Sequence, residues 1–510
     1  MSVATGGRRK PTRPKVASAR SGSAATGSAK RSAASSPNHE RMSRVDTAWL
    51  RMDNDVNLMM IVGIWLLRPA ITRTQLVQRV RSKLLQYGRF RQRVAVEPDG
   101  ATWVDDEDFD IDSHVVQLKL KRRSGRCERE ALQDMVGELA TRPLDPARPL
   151  WQFHLIDGYE GGSALIARIH HCIGDGIALV SVMLSITDKG VDPPHAGGQS
   201  VDPAAGNVDH GLFDELLKPL AELAVKALDV YDHGLGKAGG ALANPRRPMI
   251  DSLHLARAAQ HLMADAAALA LMEDDSPTQL KGKPIGVKRV AWGEPIPLDT
   301  VKVIGKALGC SINDVLLACV AGAIGSYLRE HGEDPRGKEI RAMVPVNLRP
   351  LDQAWQLGNR FGLVPLLLPV GIANPVQRIY SVRSRMSELK GSFQPLLAFG
   401  LLSVAGVLIK PLQESLLGVF AKKATAVMTN VPGPTEPLLF CGSTLRQTMF
   451  WVPQSGDIGV GVSLLSYGGG VQFGLMTDQR LCPEPQAVID QFEPEFEKLL
   501  MLTMMLPWTD

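Results

Sequence analysis

His170 and His171 stand side by side in His170-His171-Cys172-Ile173-Gly174-Asp175-Gly176. An imidazole with an ordinary pKa of about 6.5 takes up and returns a proton near neutrality, so a positioned histidine suits general acid–base chemistry. Ser163–His171 reads as a strand that ends at the histidine pair. Neighbouring strand residues point to opposite faces, so only one of the two rings can face a cleft while the other packs behind it. Gly174 and Gly176 permit a tight turn close to a substrate. Asp175 can hold that turn through side-chain hydrogen bonds or a buried cation. The same residues also fit a plain structural reading, a packed histidine pair followed by an Asp-Gly turn. His and Asp are metal ligands too, but no third ligand stands at a suitable spacing, and no metal is expected.

Other chemical motifs fail on context. Gly234–Gly239 satisfies GxGxxG but follows a helix-like segment rather than a strand. Gly332–Lys338 resembles a phosphate loop, yet Glu339 stands where Ser or Thr is required. There is neither a GxSxG elbow nor an HExxH helix, which removes the usual support for a serine hydrolase or a zinc protease. Asn313 and Asp314 fit a helix start, with Ser311 as N-cap and Asp314 in the first turn. Asn430 through Pro434 fits a simple turn.

The elements that must carry the histidine block read as follows. Ser43 with Asp46 can cap a short helix through Leu50, and Thr72–Tyr87 is an amphipathic helix. Leu58–Leu67, Gln92–Val96, Thr102–Val104 and Leu150–Asp157 are strand-like, Gly161-Gly162 turns into Ser163–His171, and Ile177 to about Thr187 is a helix. Residues 188–210 form a linker rich in Pro, Gly and Asp. Phe213–Tyr231 and Leu253–Met272 are helix-like, so 205–280 reads as a helical connector. A second body starts near Lys288, with helices at Leu298–Ala307 and Ile312–His331, strands at Arg341–Val346, Gly459–Ser466 and Val471–Thr477, and a final helix from Pro485 to about Leu502. The resulting division is a basic tail at 1–41, a first domain at 42–204, the connector at 205–280 and a second domain at 281–510. Two mixed bodies of helix and strand imply an α/β two-domain enzyme with a cleft between the domains.

The whole chain has a net charge of +4, but residues 1–41 hold nine Lys or Arg against the single acid Glu40, which leaves the body at about −4. The body is therefore no nucleic-acid surface. The tail lacks the apolar stretch of a secretory signal, and its low-complexity composition reads as disordered. Six dispersed cysteines without a CxxC pair point to small buried residues in a reducing compartment. The apolar segment around Pro395–Phe420, flanked by Lys410, Lys422 and Lys423, suits either a core helix pair or contact with a membrane interface.

The histidine block is an HHxxxDG motif. It resembles the superfamily of chloramphenicol acetyltransferases, carnitine acyltransferases, plant acyltransferases and peptide-synthetase condensation domains. More of the chain is similar to the bacterial wax ester synthase/diacylglycerol acyltransferase family. The matching segments are Pro149-Leu150-Trp151, Ser311 through Ala318, Val344 through Arg349, Gly358 through Gly362, Thr429 through Pro434 and Val452 through Gly456. They span about Met42 to the C-terminus in order. Two departures are Gln152, where an acid is expected, and Lys281, where Asn is expected.

The resemblance implies two chloramphenicol-acetyltransferase-like domains with a central cleft or tunnel. It implies His171 as general base, with His170 beside it and Asp175 mainly preserving geometry next to Gly176. Asn313 and Asp314 are implicated in activity, and Asn430, Pro432 and Gly433 in shaping the cleft or binding the acyl donor. No permanently bound cofactor is implied; acyl-CoA is the co-substrate and a fatty alcohol or diacylglycerol the acceptor. Such substrates partition into lipid, so a cytoplasmic protein with peripheral contact to the inner membrane or lipid inclusions is expected. Two other readings stay open on the motif alone: a non-catalytic lipid-surface protein and a condensation enzyme forming amides.

Overall fold

A computed structural model describes residues 40–190 and 272–506, apart from 98–99, 122–123, 350–352, 354–355, 390–393, 406–412 and 414–421. The basic tail to residue 39, most of the expected linker and connector, including the GxGxxG match, and much of the apolar 395–420 segment lie outside the described residues.

The first half contains strands β1 (Glu40–Arg41), β2 (Met60–Arg68), β3 (Gln92–Glu97), β4 (Gly100–Asp105), β5 (Val115–Lys119), β6 (Trp151–Tyr159) and β7 (Gly162–His170). Its helices are α1 (Arg44–Met52), α2 (Arg73–Ser82), α3 (Ile111–His114), α4 (Glu128–Ala140) and α5 (Gly176–Ser185). Ser43 caps α1 by accepting the Asp46 N–H at 3.1 Å, as its sequence suggests. The second half contains β8 (Lys288–Trp292), β9 (Ile296–Pro297), β10 (Ile340–Asn347), β11 (Phe361–Leu368), β12 (Ala426–Pro432), β13 (Leu439–Phe440), β14 (Ser443–Trp451), β15 (Val460–Tyr467) and β16 (Gly470–Asp478). Its helices are α6 (Leu298–Leu308), α7 (Ile312–Glu330), α8 (Pro375–Leu389), α9 (Gln394–Ala405), α10 (Pro485–Asp490) and α11 (Phe492–Met504). The final helix expected from Pro485 onward is thus two helices that meet at Gln491.

Two large sheets organise the chain. One has the order β11-β10-β12-β15-β16-β8, with β9 also paired to β16. The other has the order β13-β14-β2-β7-β6-β5. β14 belongs to the second half in sequence but pairs antiparallel with β2, from Thr444 opposite Arg68 to Trp451 opposite Val62. The two halves therefore share a sheet. A register shift between Leu445 and Gln447 breaks the two-residue alternation of β14, which is why its sequence does not read as a strand.

Alternation on β7 sorts the residues that precede the histidine pair. Ala164 and Ile166 join Met60, Val62 and Ile64 against Leu132, Val136 and Leu139 of α4. Leu165, Ala167 and Ile169 face the other way, toward Leu179 and Val182 of α5. In the second half, α7 is buried along its length. It alone among the described helices has the length and apolarity to cross a membrane, and 89% of that stretch is buried. A Cβ on its Gly325 would stand 2.2 Å from the Val370 carbonyl oxygen, so only glycine allows this approach.

Candidate active site

His171 follows β7 directly. Its N–H donates to the Met59 carbonyl at 2.7 Å, and its own carbonyl accepts from Asn359 Nδ2 at 2.7 Å. The ring stacks on the Trp49 indole with centroids 4.2 Å apart and planes 18° from parallel, and Phe361 lies 5.4 Å away. Although only 3% exposed, His171 lines a cleft of about 830 Å³ together with Trp49, Asp175, Phe361, Asn430 and Phe450. Among the described residues the buried Nδ1 has no hydrogen-bond partner, so the ring meets the cleft through its Nε2 edge. Burial, reinforced by neighbouring His170, pushes the pKa down to about 3, and the Asn359 amide and the residue's own carbonyl offset this only in part. The imidazole is therefore neutral and holds a lone pair free to accept a proton.

His170 does not line this cleft. Its Nδ1 accepts the Cys172 N–H at 3.1 Å, and its Nε2 lies 3.8 Å from Asp53 Oδ1.

Asp175 is the N-cap of α5 and accepts the Ala178 N–H at 2.9 Å. It also accepts the Arg360 N–H at 3.0 Å and pairs with the buried Arg349 guanidinium at 3.2 Å. Arg349 donates in turn to the Gly358 carbonyl at 2.7 Å, and Gly358 N–H donates to Ile173 at 3.0 Å. A loop from the second half thereby braces the turn after the histidines. Neither Gly174 nor Gly176 takes a left-handed φ, so the turn does not need glycine for its backbone angles. A Cβ at Gly176 would meet Phe450 at an ordinary 3.7 Å.

The other candidates gather on the far wall. Asn430 lines the cleft, and its amide donates to Asn313 Oδ1. Asn313 and Pro432 line an adjoining cavity of about 680 Å³ that shares Pro345 and Asn430 with the cleft. Gly433 lines a third, largely apolar cavity of about 790 Å³, which shares Gly176 and Phe450 with the cleft. A Cβ on Gly433 would stand 2.5 Å from the Ser466 carbonyl oxygen. Asp314 sits apart from this wall. Ser311 and Asp314 form a reciprocal capping box at the start of α7, with distances of 2.8 and 3.2 Å.

Asp46, Trp49, Arg349, Asn359 and Phe361 complete the site without having been picked out as functional residues. Arg349, Asn359 and Phe361 fall within segments that carry the family resemblance. Asp46 and Trp49 read only as parts of a short helix, and nothing in their spacing distinguishes them. Among the described residues, no group of three or more His, Cys, Asp or Glu is arranged to hold a metal.

A family model described as the wax ester synthase/diacylglycerol acyltransferase catalytic domain matches residues 42–316, and one described as the WS/DGAT C-terminal domain matches residues 357–500. The probable diacylglycerol O-acyltransferase tgs1 of Mycobacterium tuberculosis is 27% identical over 422 residues, which is 80% of this chain and 84% of that protein. The O-acyltransferase WSD of Acinetobacter baylyi is 25% identical over 468 residues, 89% of this chain and 95% of that protein. Among solved structures, the wax ester synthase/diacylglycerol acyltransferase from Marinobacter aquaeolei VT8 superposes with a TM-score of 0.62 at 20% identity, covering 91% of this chain and 100% of its own. The first condensation domain of the calcium-dependent antibiotic synthetase superposes with a TM-score of 0.53 at 15% identity, covering 92% and 97%. These two likenesses bear out the expected fold of two chloramphenicol-acetyltransferase-like domains.

Proposed function

We propose, since this chain belongs to the wax ester synthase/diacylglycerol acyltransferase family and is an acyltransferase, that it moves a fatty acyl group from acyl-CoA to the hydroxyl of a fatty alcohol or diacylglycerol. The products are a wax ester or a triacylglycerol. The observation that carries this reading is a neutral His171 whose ring lines a mostly apolar cleft flanked by two further cavities.

The chemistry needs one group to manage one proton. His171 Nε2 takes the proton of the alcohol as its oxygen attacks the thioester carbonyl carbon. The C–S bond then breaks, and the imidazolium returns the proton to the CoA thiolate. Positioned proton transfer of this kind contributes about 10²–10⁴-fold, and holding both substrates in one cleft adds a proximity effect. No acyl-enzyme forms. Cys172, the nearest thiol, is fully buried with its pKa raised by that burial, which suits it to packing rather than attack.

Asp175 acts through geometry. Three protein donors already occupy its carboxylate, so it holds the turn next to Gly176. His170 supports the turn from behind. Asn430, Asn313, Pro432 and Gly433 shape the walls along which the acyl donor lies, and Asp314 secures the helix that carries Asn313. The domain division at 204 and 281, a cytoplasmic location and peripheral contact with membrane or lipid inclusions belong to the same reading.

Purified protein given palmitoyl-CoA with hexadecanol and diacylglycerol in competition tests it. The expected result is alcohol-dependent thiol release with ester product, abolished in His171→Ala and partly retained in His170→Ala. Product formation only from amines, or full activity in His171→Ala, would overturn it.

A further inference from the structure

We propose that α1 is the element that positions the base: Asp46, acting through Asn359, and Trp49, through ring stacking, together fix the backbone and the ring plane of His171. The inference rests on His171 being the base.

Asp46 and Trp49 lie three residues apart on one helix and so share a face. Asp46 Oδ1 accepts both the backbone N–H of Asn359 at 3.0 Å and its Nδ2 at 2.8 Å. The same Nδ2 donates to the His171 carbonyl at 2.7 Å. Carboxylate, amide and histidine carbonyl therefore form one chain of contacts, and all three residues are buried. One turn along the helix, the Trp49 indole lies flat on the imidazole. The carbonyl anchor limits movement of the backbone, while the stack limits rotation of the ring. Together they hold Nε2 toward the cleft in a geometry suited to proton transfer.

Two features argue that this arrangement serves more than helix stability. Asp46 Oδ1 accepts twice from Asn359, 313 positions away, so the carboxylate does more than serve the start of its own helix. A buried carboxylate is also costly, and burial raises the pKa of Asp46 against the opposing effect of its bonds to Asn359 and Ser43. Likewise, the buried Trp49 Nε1 has no hydrogen-bond partner among the described residues, so a smaller aromatic ring would pack there without stranding a donor. What the indole contributes is a broad face against the histidine.

The test uses full-length variants with palmitoyl-CoA and hexadecanol, each assayed below its melting transition. Trp49→Leu fills space without a π face, and its kcat should fall about 10- to 100-fold while KM for palmitoyl-CoA stays within about twofold. Trp49→Phe restores a stacking ring and should recover most of the rate. Asp46→Asn keeps the accepting oxygen and should retain activity that Asp46→Ala loses. Because Asp46 acts through Asn359, the double variant Asp46→Ala/Asn359→Ala should be no worse than the poorer single variant. Wild-type kcat in Trp49→Leu, or independent additive losses at 46 and 359, would overturn the proposal while a dead His171→Ala left the base in place. An active His171→Ala would remove the base and this inference with it.

Discussion

Asp175 and Arg349 are 174 positions apart in the chain and form an ion pair at 3.2 Å, with their side chains 5% and 1% exposed. The pair links the start of α5 to the segment that follows β10, and through Gly358 it braces the turn after His171. Removing one member of a buried pair strands the other charge, which costs about 3–5 kcal/mol. Asp175→Ala also removes the helix cap. Chemical denaturation should therefore show Asp175→Ala and Arg349→Ala each destabilised by several kcal/mol. Arg349→Met in an Asp175→Asn background should recover part of that stability without recovering activity. Independent, fully additive losses would show that the two residues do not act as a pair.

A second buried cation has no acidic partner among the described residues. Arg168 is 2% exposed, and its Nη1 donates to Gln152 Oε1 at 3.1 Å. It also donates to the Arg142 carbonyl, while its Nε has no partner among the described residues. Burial, and then the nearby Arg142, pushes its pKa down to about 10. Gln152 is the position where the family resemblance leads one to expect an acid. Gln152→Glu would place a carboxylate against the buried guanidinium, turning its hydrogen bond to a neutral amide into an ion pair, a gain of about 1.5–3 kcal/mol. It would also lose the bond from Gln152 Nε2 to the Ser113 carbonyl, worth about 1 kcal/mol. The net expectation is a stabilisation of about 1 kcal/mol, read as a higher denaturation midpoint. A lower midpoint would show that a carboxylate is not tolerated under α4.

The histidine motif, the helix capped by Ser43, and the strands β6 and β7 are all legible in the sequence, because each rests on contacts between residues close in the chain. β14 is not, because its bulge hides the alternation and its partner is β2, hundreds of residues earlier. The same holds at the site. The capping box of Ser311 and Asp314 can be read from spacing alone. The contacts of Asn313 with Asn430, Arg349 with Asp175 and Asn359 with His171 exist only once distant segments meet. The connection between the Asp46–Asn359 contact and the His171–Trp49 stack is likewise tertiary, and nothing local announces it.

Two buried histidines give stability a pH dependence of definite sign. His171 and His154 both have folded pKa values pushed down to about 3, chiefly by burial, and neither ring nitrogen of His154 has a partner among the described residues. Their ordinary value is about 6.5. Between those limits the unfolded chain binds a proton at each site that the folded chain refuses, so stability rises with pH across this window and falls on acidification. Each site adds a slope of up to about 1.4 kcal/mol per pH unit. Denaturation midpoints at pH 5, 6 and 7 should drop steeply toward acid, and His154→Leu should flatten the slope. In the same range kcat/KM should show no inflection near 6.5, because the base stays neutral until the fold fails.

Asn313 and Asp314 are adjacent, yet the structure gives them separable tasks. Asp314 closes a capping box with Ser311 and does not line the His171 cleft. Removing such a cap costs about 1 kcal/mol. Asn313 instead holds the amide of Asn430, which forms part of the cleft wall. Asp314→Ala should therefore lower the melting temperature and leave kcat largely unchanged when assayed well below it. Asn313→Ala should lose little stability but free Asn430 to turn, so that kcat/KM falls by about tenfold or more. Asn430→Ala should produce a similar loss, and the double variant at 313 and 430 should add little to either, since both changes release the same wall. If Asp314→Ala proved the more damaging to turnover at full stability, the carboxylate would have to reach the reacting groups by some route other than α7. The division of labour between these neighbours would then be wrong.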